Sequence, residues 1–80
     1  MRFIIWTNQL KMKNNIKVER AIKNITQQQL ADSVGVSRQT INAMELGKYV
    51  PSTLLALKIA RCFETNVEKI FQLEDDDLIK

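Results

Sequence analysis

Histidine is absent from this chain of 80 residues, and cysteine occurs only once, at position 62. These absences exclude a zinc site of the usual Cys/His kind, a Ser-His-Asp triad and an internal disulfide. The remaining side chains do not supply a plausible pair of base and nucleophile, so the sequence predicts a protein that is not an enzyme. We expect no metal ion, no cofactor and no small-molecule ligand. Cys62 falls in an apolar-rich helical stretch, where a buried and inert thiol is expected.

Long hydrophobic runs are also missing. The longest apolar run near the N-terminus is Phe-Ile-Ile-Trp at residues 3–6, whereas a membrane-spanning helix needs roughly 18 to 20 such residues. No segment has the features of a signal peptide, and no disulfide can form. The sequence therefore predicts a cytoplasmic protein without a membrane-embedded segment.

Charge is unevenly distributed along the chain. Residues 1–73 contain eleven Lys and Arg against five Asp and Glu, a net charge of +6, whereas residues 74–80 carry a net charge of −3. A basic body attracts polyanions such as nucleic acid or an anionic membrane. Charge alone is equally compatible with an ordinary solvated surface of mixed sign.

Helical periodicity runs through the chain from about residue 16, and the 45% apolar content is enough for one small core. Apolar residues recur three or four positions apart in several segments: Val18, Ile22 and Ile25; Leu30 and Val34; Ile41 and Met44; and Leu55, Ala56, Ile59, Ala60 and Phe63. We predict helices at about 16–24, 26–34, 37–46, 52–64 and 66–71. Ile70 and Phe71 should close the core, and residues 12–14 and 71–73 could pair as a short two-stranded edge.

Capping residues support these boundaries. Thr26 with Gln29 forms the pattern of a capping box, in which a hydroxyl accepts from the N3 amide and the N3 side chain accepts from the cap amide. Thr65 with Glu68 repeats the pattern, and two further helices start after serine caps at positions 37 and 52. The only two glycines, Gly35 and Gly47, supply left-handed residues that end helices.

The two glycines bracket the segment VSRQTINAMEL, whose polar positions carry Arg, Gln, Thr and Asn in place of the Glu and Lys of a usual solvated helix. Before it, Ala31 is small enough for two helices to approach closely. Gly35 allows a sharp turn, and Ile41 can pin the second helix to the first. The stretches TQQQLADSVGVSRQTINAMELGKYVPS and LKIARCFETNVEKIF resemble the Cro and lambda-repressor family, also called the xenobiotic-response-element type. The resemblance covers residues 14 to 73.

This resemblance implies an all-α fold, a compact five-helix repressor-like domain that contains a helix-turn-helix and leaves room for a short terminal β pairing. We expect an N-terminal extension at residues 1–13, a DNA-binding domain at 14–73 and an acidic tail at 74–80. The resemblance also implies roles for named residues. Expected base contacts are Ser37, Arg38, Gln39, Thr40 and Asn42; expected phosphate contacts are Gln27, Gln28, Lys48 and Tyr49; the expected structural ion pair is Arg20 with Glu45.

Two functions remain open at this point. The first is a sequence-specific transcriptional regulator, a repressor that binds a palindromic operator in double-stranded DNA as a homodimer. Leu54, Leu73 and the apolar residues 2–6 have no obvious partner within the chain and could form the subunit interface. The alternative is an antitoxin-type interaction protein that also binds DNA, with residues 1–15 and 74–80 as the segments available for a partner.

Overall fold

The computed structural model describes residues 12–73, which form five helices and two short strands. In chain order the elements are β1 (Met12–Asn14), α1 (Ile16–Lys23), α2 (Gln27–Val34), α3 (Arg38–Glu45), α4 (Thr53–Cys62), α5 (Val67–Ile70) and β2 (Phe71–Leu73). The predicted mostly helical architecture is confirmed, and each helix ends within two residues of its predicted bounds. The apolar residues 2–6 and the acidic tail at 74–80 lie outside the described range.

The predicted caps explain why most helices start where they do. Thr26 accepts a hydrogen bond from the Gln29 amide at 3.0 Å, and the Gln29 side chain accepts from the Thr26 amide at 2.8 Å, which completes the capping box. Ser37 and Ser52 each accept from the amide three residues later. The prediction for the last helix was wrong by one residue. Asn66, not Thr65, caps α5, because its side chain accepts from the Lys69 amide at 3.1 Å. The Thr65 amide donates instead to the Ala60 carbonyl at the end of α4.

One continuous core holds the helices together. Every helix contributes to it, and α2 and α4 contribute most; its fully or nearly fully buried members are Ile16, Leu30, Ala31, Val34, Ile41, Met44, Leu55, Ile59, Ala60, Phe63, Ile70 and Phe71. The predicted stripe of α4 is therefore confirmed, with Ala56 partly buried beside it, and Cys62 is a half-buried free thiol that packs against the same core.

The apolar repeat that predicted α1 does not face the core, although the helix is present. Val18 and Ile22 are 55% and 68% exposed, and the helix is anchored instead by Ile16, with Ile25 packing after its end. Ile16 and Arg20 share one face because they are four residues apart, which places residues 18 and 22 on the opposite face. The orientation of α1 is thus set by Ile16 and Arg20.

The two ends of the described chain are joined. β1 and β2 pair antiparallel, with Met12 opposite Leu73 and Asn14 opposite Phe71, so the short β pairing that the sequence allowed is present. Asn15 strengthens the junction, since its backbone amide donates to the Ile70 carbonyl at 2.8 Å and its side-chain amide to the Lys69 carbonyl at 2.9 Å. Across the described range, the helices are all too short or too polar to span a membrane.

Candidate nucleic-acid interface

The segment between α2 and α3 is a tight turn that fixes the angle between the two helices. Gly35 has a φ of +82°, and its amide donates to the Ala31 carbonyl at 2.8 Å. A Cβ at Gly35 would meet no atom within 4 Å, so the backbone conformation, not the available space, requires glycine here. Ala31 and Ile41 are fully buried where the two helices pack. This is the role that the sequence spacing predicted for all three residues.

The N-terminal turn of α3 presents polar side chains outward. Arg38 and Gln39 are exposed, as is Asn42 one turn later, while Ile41 on the opposite face is buried. Ser37 accepts from the Thr40 amide at 3.2 Å, and the two hydroxyl groups lie 3.0 Å apart. Four of the five expected base-contacting residues therefore lie on the first turn and a half of α3, and the fifth, Ser37, is its N-cap.

A chain of hydrogen bonds connects α2 to the outward residues of α3. The side-chain nitrogen of Gln27 donates to Asn42 Oδ1 at 3.2 Å and to Glu45 Oε1 at 3.0 Å. Arg38 donates to the side-chain oxygen of Gln27 at 3.3 Å. Gln27 was expected to contact phosphate, and the structure shows that its side chain is engaged with three residues of α3.

Glu45 is held from the other side by Arg20. Arg20 Nε donates to Glu45 Oε2 at 2.7 Å and a terminal nitrogen donates to Oε1 at 3.2 Å, which is a two-point contact. Arg20 also donates to the Ile25 carbonyl at 3.0 Å, where α1 turns into α2. The two side chains are only 16% and 8% exposed. The residues expected to pair are thus in contact, and they tie α1 and α3 together.

The other expected phosphate contacts lie at the edges of the helix-turn-helix. Gln28, on the first turn of α2, donates to Asp32 at 2.9 Å and is exposed. Lys48 and Tyr49 follow α3 and are exposed. The Lys48 amide donates to the Ala43 carbonyl at 2.9 Å, a bond that the left-handed Gly47 makes possible at φ of +77°.

Asn14 contacts the last turn of α3, and no sequence pattern predicted this contact. Its side-chain nitrogen donates to the carbonyl of Met44 at 2.7 Å. This carbonyl also accepts from the Gly47 amide at 3.0 Å, so strand β1 provides the last turn of α3 with an additional donor. Because Asn14 lies thirty positions before Met44, the residues around α3 give no indication of this hydrogen bond.

Residues 12–73 contain no cluster of three or more His, Cys, Asp and Glu side chains that could hold a metal ion. The buried carboxylate of Glu45 is bonded to Arg20 and Gln27.

Two packed helices joined by a glycine turn, with polar side chains on the exposed face of the second, define a helix-turn-helix DNA-binding domain. The chain belongs to the HTH_3 family, described as helix-turn-helix, whose sequence profile matches residues 16–70. The predicted resemblance to Cro and lambda repressor is thereby confirmed. Its similar proteins include HTH-type transcriptional regulators, which supports the prediction that this chain is a DNA-binding regulator and not an enzyme.

Relatives extend this assignment across nearly the whole domain. An uncharacterized HTH-type transcriptional regulator of Methanocaldococcus jannaschii is 56% identical over 66 residues, which cover 82% of this chain and 100% of the relative. Two solved structures are also similar. A Bacteroides fragilis protein thought to bind DNA has a TM-score of 0.69 and 31% identity, covering 76% of this chain and 98% of its own. The SOS-response transcriptional repressor LexA of Eubacterium rectale has a TM-score of 0.66 and 30% identity. The match covers 82% of this chain and 68% of the LexA chain.

Proposed function

We propose that this protein is a transcriptional repressor that binds a palindromic operator as a homodimer, with α3 as the recognition helix. The observation that carries the proposal is the exposure of Arg38, Gln39 and Asn42 on one face of a helix whose opposite face is buried. An α-helix fits the major groove of B-DNA, where each base pair presents a distinct set of donors and acceptors. The similarity to LexA, a transcriptional repressor, supports repression over activation.

Base reading is assigned to the first turn and a half of α3. Arg38 can donate two hydrogen bonds to O6 and N7 of guanine, and Gln39 can grip N6 and N7 of adenine. Ser37 and Thr40 add hydroxyl groups that can donate or accept, at the point where α3 enters the groove. Asn42 contacts a further base one turn along the helix.

Phosphate contacts position the helix in the groove. The first amides of α2, at Gln27 and Gln28, have no partner within their helix, and the positive end of the helix dipole adds to their attraction for an anion. Lys48 and Tyr49 lie just after α3 and reach the backbone at its other end. Such contacts set register and orientation without reading sequence.

The dimer is proposed on the exposed apolar surface at the C-terminal side of the domain. Leu54 and Leu57 lie three residues apart on α4 and are 64% and 53% exposed. Leu57 borders a shallow depression whose other lining residues are Pro51, Thr53, Ala56, Val67 and Phe71, and Leu73 is exposed on β2. A second copy would cover this surface, and a two-fold pair doubles the number of base pairs read. The N-terminal part of the interface expected from the sequence lies outside the described residues.

Occupation of an operator represses by excluding polymerase from overlapping promoter DNA. A symmetric pair of recognition helices must enter successive major grooves on one side of the duplex. The operator is therefore proposed to be an inverted repeat whose half-site centres are about 34 Å, one helical turn, apart.

The experiment is selection of bound duplexes from a random DNA pool, followed by transcription in vitro from a promoter that overlaps the selected site. We expect an enriched inverted repeat and a fall in transcript as protein is added, and both effects should weaken with Arg38→Ala. A bound site without two-fold symmetry would reject the dimer. The absence of any enriched sequence at low salt would reject sequence-specific binding and favour the antitoxin-type alternative.

A further inference from the structure

Both the nitrogen and the oxygen of the Gln27 side-chain amide are bonded to side chains of α3. Its nitrogen has two hydrogens, which go to Glu45 and Asn42, and its oxygen accepts from Arg38. These three side chains all come from α3 and contact one amide group of α2. Both outward residues that touch it, Arg38 and Asn42, are proposed base readers.

The direction of every bond in this set follows from the ion pair behind it. Glu45, an ionised carboxylate held by Arg20 at 2.7 and 3.2 Å, can only accept hydrogen bonds. The atom of Gln27 that lies 3.0 Å from this carboxylate must therefore be its nitrogen. The Gln27 oxygen then faces Arg38, which can only donate. A flipped amide would place two acceptors together on one side and two donors on the other.

The orientation of the Asn42 side-chain amide is set by the Gln27 amide. The second hydrogen of the Gln27 nitrogen points at Asn42, so the atom that Asn42 turns toward it must be the oxygen, at 3.2 Å. The Asn42 nitrogen, with two donor hydrogens, is left for the solvent side of α3, where the residue is exposed. An unconstrained asparagine grips adenine with its oxygen and nitrogen together. Here the oxygen keeps a second lone pair, but it is turned toward Gln27 on α2, so only the nitrogen faces away from α2.

We infer that Asn42 reads hydrogen-bond acceptors only, so that the base it contacts is guanine in preference to adenine, and that Gln27 is the positioning residue that enforces this choice. Guanine presents two acceptors, O6 and N7, in the major groove, whereas adenine pairs one acceptor with a donor that the Asn42 nitrogen cannot satisfy. Thymine, with one acceptor, ranks second, and cytosine, which offers only a donor, ranks last. The inference rests on the proposed function, because it requires that α3 enter the major groove.

Arg38 strengthens the expected preference for guanine. Its guanidinium donates through one nitrogen to Gln27 and retains further donors for the groove. Both readers in contact with Gln27 therefore present donors, and the half-site is expected to be rich in guanine where these two side chains reach it. Gln39 has no part in this set and remains free to read adenine.

The test compares base preferences in selected DNA pools for five proteins. Wild-type protein and Asn42→Ala first locate the base pair that Asn42 contacts, as the position whose preference is lost. At that position we expect wild type to favour guanine over adenine by about tenfold, the order of effect for one unsatisfied donor. Gln27→Met, which releases the asparagine amide, should bring adenine to near parity with guanine. Asn42→Asp, which presents an acceptor, should favour cytosine or adenine on the strand where wild type selects guanine.

Gln29→Met is the matched control. Gln29 lies on the same helix, and its side chain bonds only the Thr26 amide of the capping box, so its loss weakens the start of α2 without touching Asn42. Base preference should stay as in wild type although thermal stability falls. If Gln29→Met relaxed the preference as much as Gln27→Met does, the effect would come from helix stability and the inference would be wrong.

The outcomes separate this inference from the proposed function. A wild-type pool with no enriched site would overturn DNA recognition itself. An enriched site that carries adenine at the Asn42 position, or one whose preference is unchanged by Gln27→Met, would overturn the inference and leave DNA recognition standing. If Gln27→Met does not fold, Asn42→Asp decides, because residue 42 is exposed: an unaltered preference would refute the assignment.

Discussion

Glu45→Met should lower the free energy of unfolding by about 2 to 3 kcal/mol. The substitution keeps much of the side-chain volume but removes the acceptor for two hydrogen bonds from Arg20 and one from Gln27. Arg20 is then left charged, with a side chain only 16% exposed and the Ile25 carbonyl as its partner. The cost is mainly that of an arginine deprived of both water and its counter-ion.

The magnitude follows from how far the pair is buried. Breaking a fully buried ion pair by removing one partner costs about 3 to 5 kcal/mol. The figure is discounted here because Arg20 retains some access to water and keeps one carbonyl partner. A domain of this size has a total stability of roughly 4 to 12 kcal/mol, so the loss is a large fraction. It corresponds to a fall in melting temperature of roughly 10 to 20 °C.

Urea denaturation followed by circular dichroism measures the effect, provided that the slope of free energy against urea is the same for each variant. The chain contains its own control, because Lys23 and Glu64 form an ion pair at 3.5 Å whose side chains are 38% and 81% exposed. Lys23→Met should cost less than about 0.5 kcal/mol. The double variant Arg20→Met with Glu45→Met should recover most of the loss, since no uncompensated charge remains. Equal costs for the buried and the exposed pair, or a double variant no more stable than the single one, would refute this reasoning.

Three further outcomes are expected. Gly35→Ala should destabilise the domain by about 1 to 2 kcal/mol in thermal or urea unfolding, because φ is +82° although no atom obstructs the new Cβ. Gly35→Asn should recover part of this loss of stability. Equal stabilities of wild type and Gly35→Ala would show that the turn relaxes freely. Leu54→Asp should convert a dimer into a monomer in sedimentation, and an unchanged mass would place the interface elsewhere. Lys48→Ala should weaken binding to all duplexes alike and reduce the log–log salt slope by about 0.9, whereas Arg38→Ala should change base preference in selected pools; the reverse assignment of effects would reject the proposed docking.

Helix boundaries could be predicted from the sequence because short-range chemistry sets them. Thr26, Ser37 and Ser52 accept from amides only three residues away, and Gly35 ends α2 through its own backbone conformation. The error at Thr65 arose because two adjacent residues can both cap. In the structure the Thr65 amide donates to the Ala60 carbonyl at the end of α4, and the pattern of residue types does not show this contact.

The orientation of α1 could not be predicted because it depends on a long-range contact. Val18 and Ile22 have helical spacing, and periodicity alone does not say which face is inside. Arg20 faces inward because it bonds Glu45, twenty-five residues later. Val18 and Ile22 therefore lie on the outer face of α1. The same limit applies to the site: the sequence indicated the residues of α3 by resemblance, but the engagement of Gln27 with Asn42 became visible only once α2 and α3 were placed together.

The pairing of β1 with β2 also imposes an order on biosynthesis. Residues 12–14 leave the ribosome before every helix of the domain, yet their strand partner, residues 71–73, emerges after all of them. An isolated short strand is not stable, so β1 cannot form before β2 is available. The bond from Asn14 to the last turn of α3 cannot form before then either. We therefore expect a nascent chain that has exposed the whole helix-turn-helix to remain incompetent for operator binding until translation has passed residue 73.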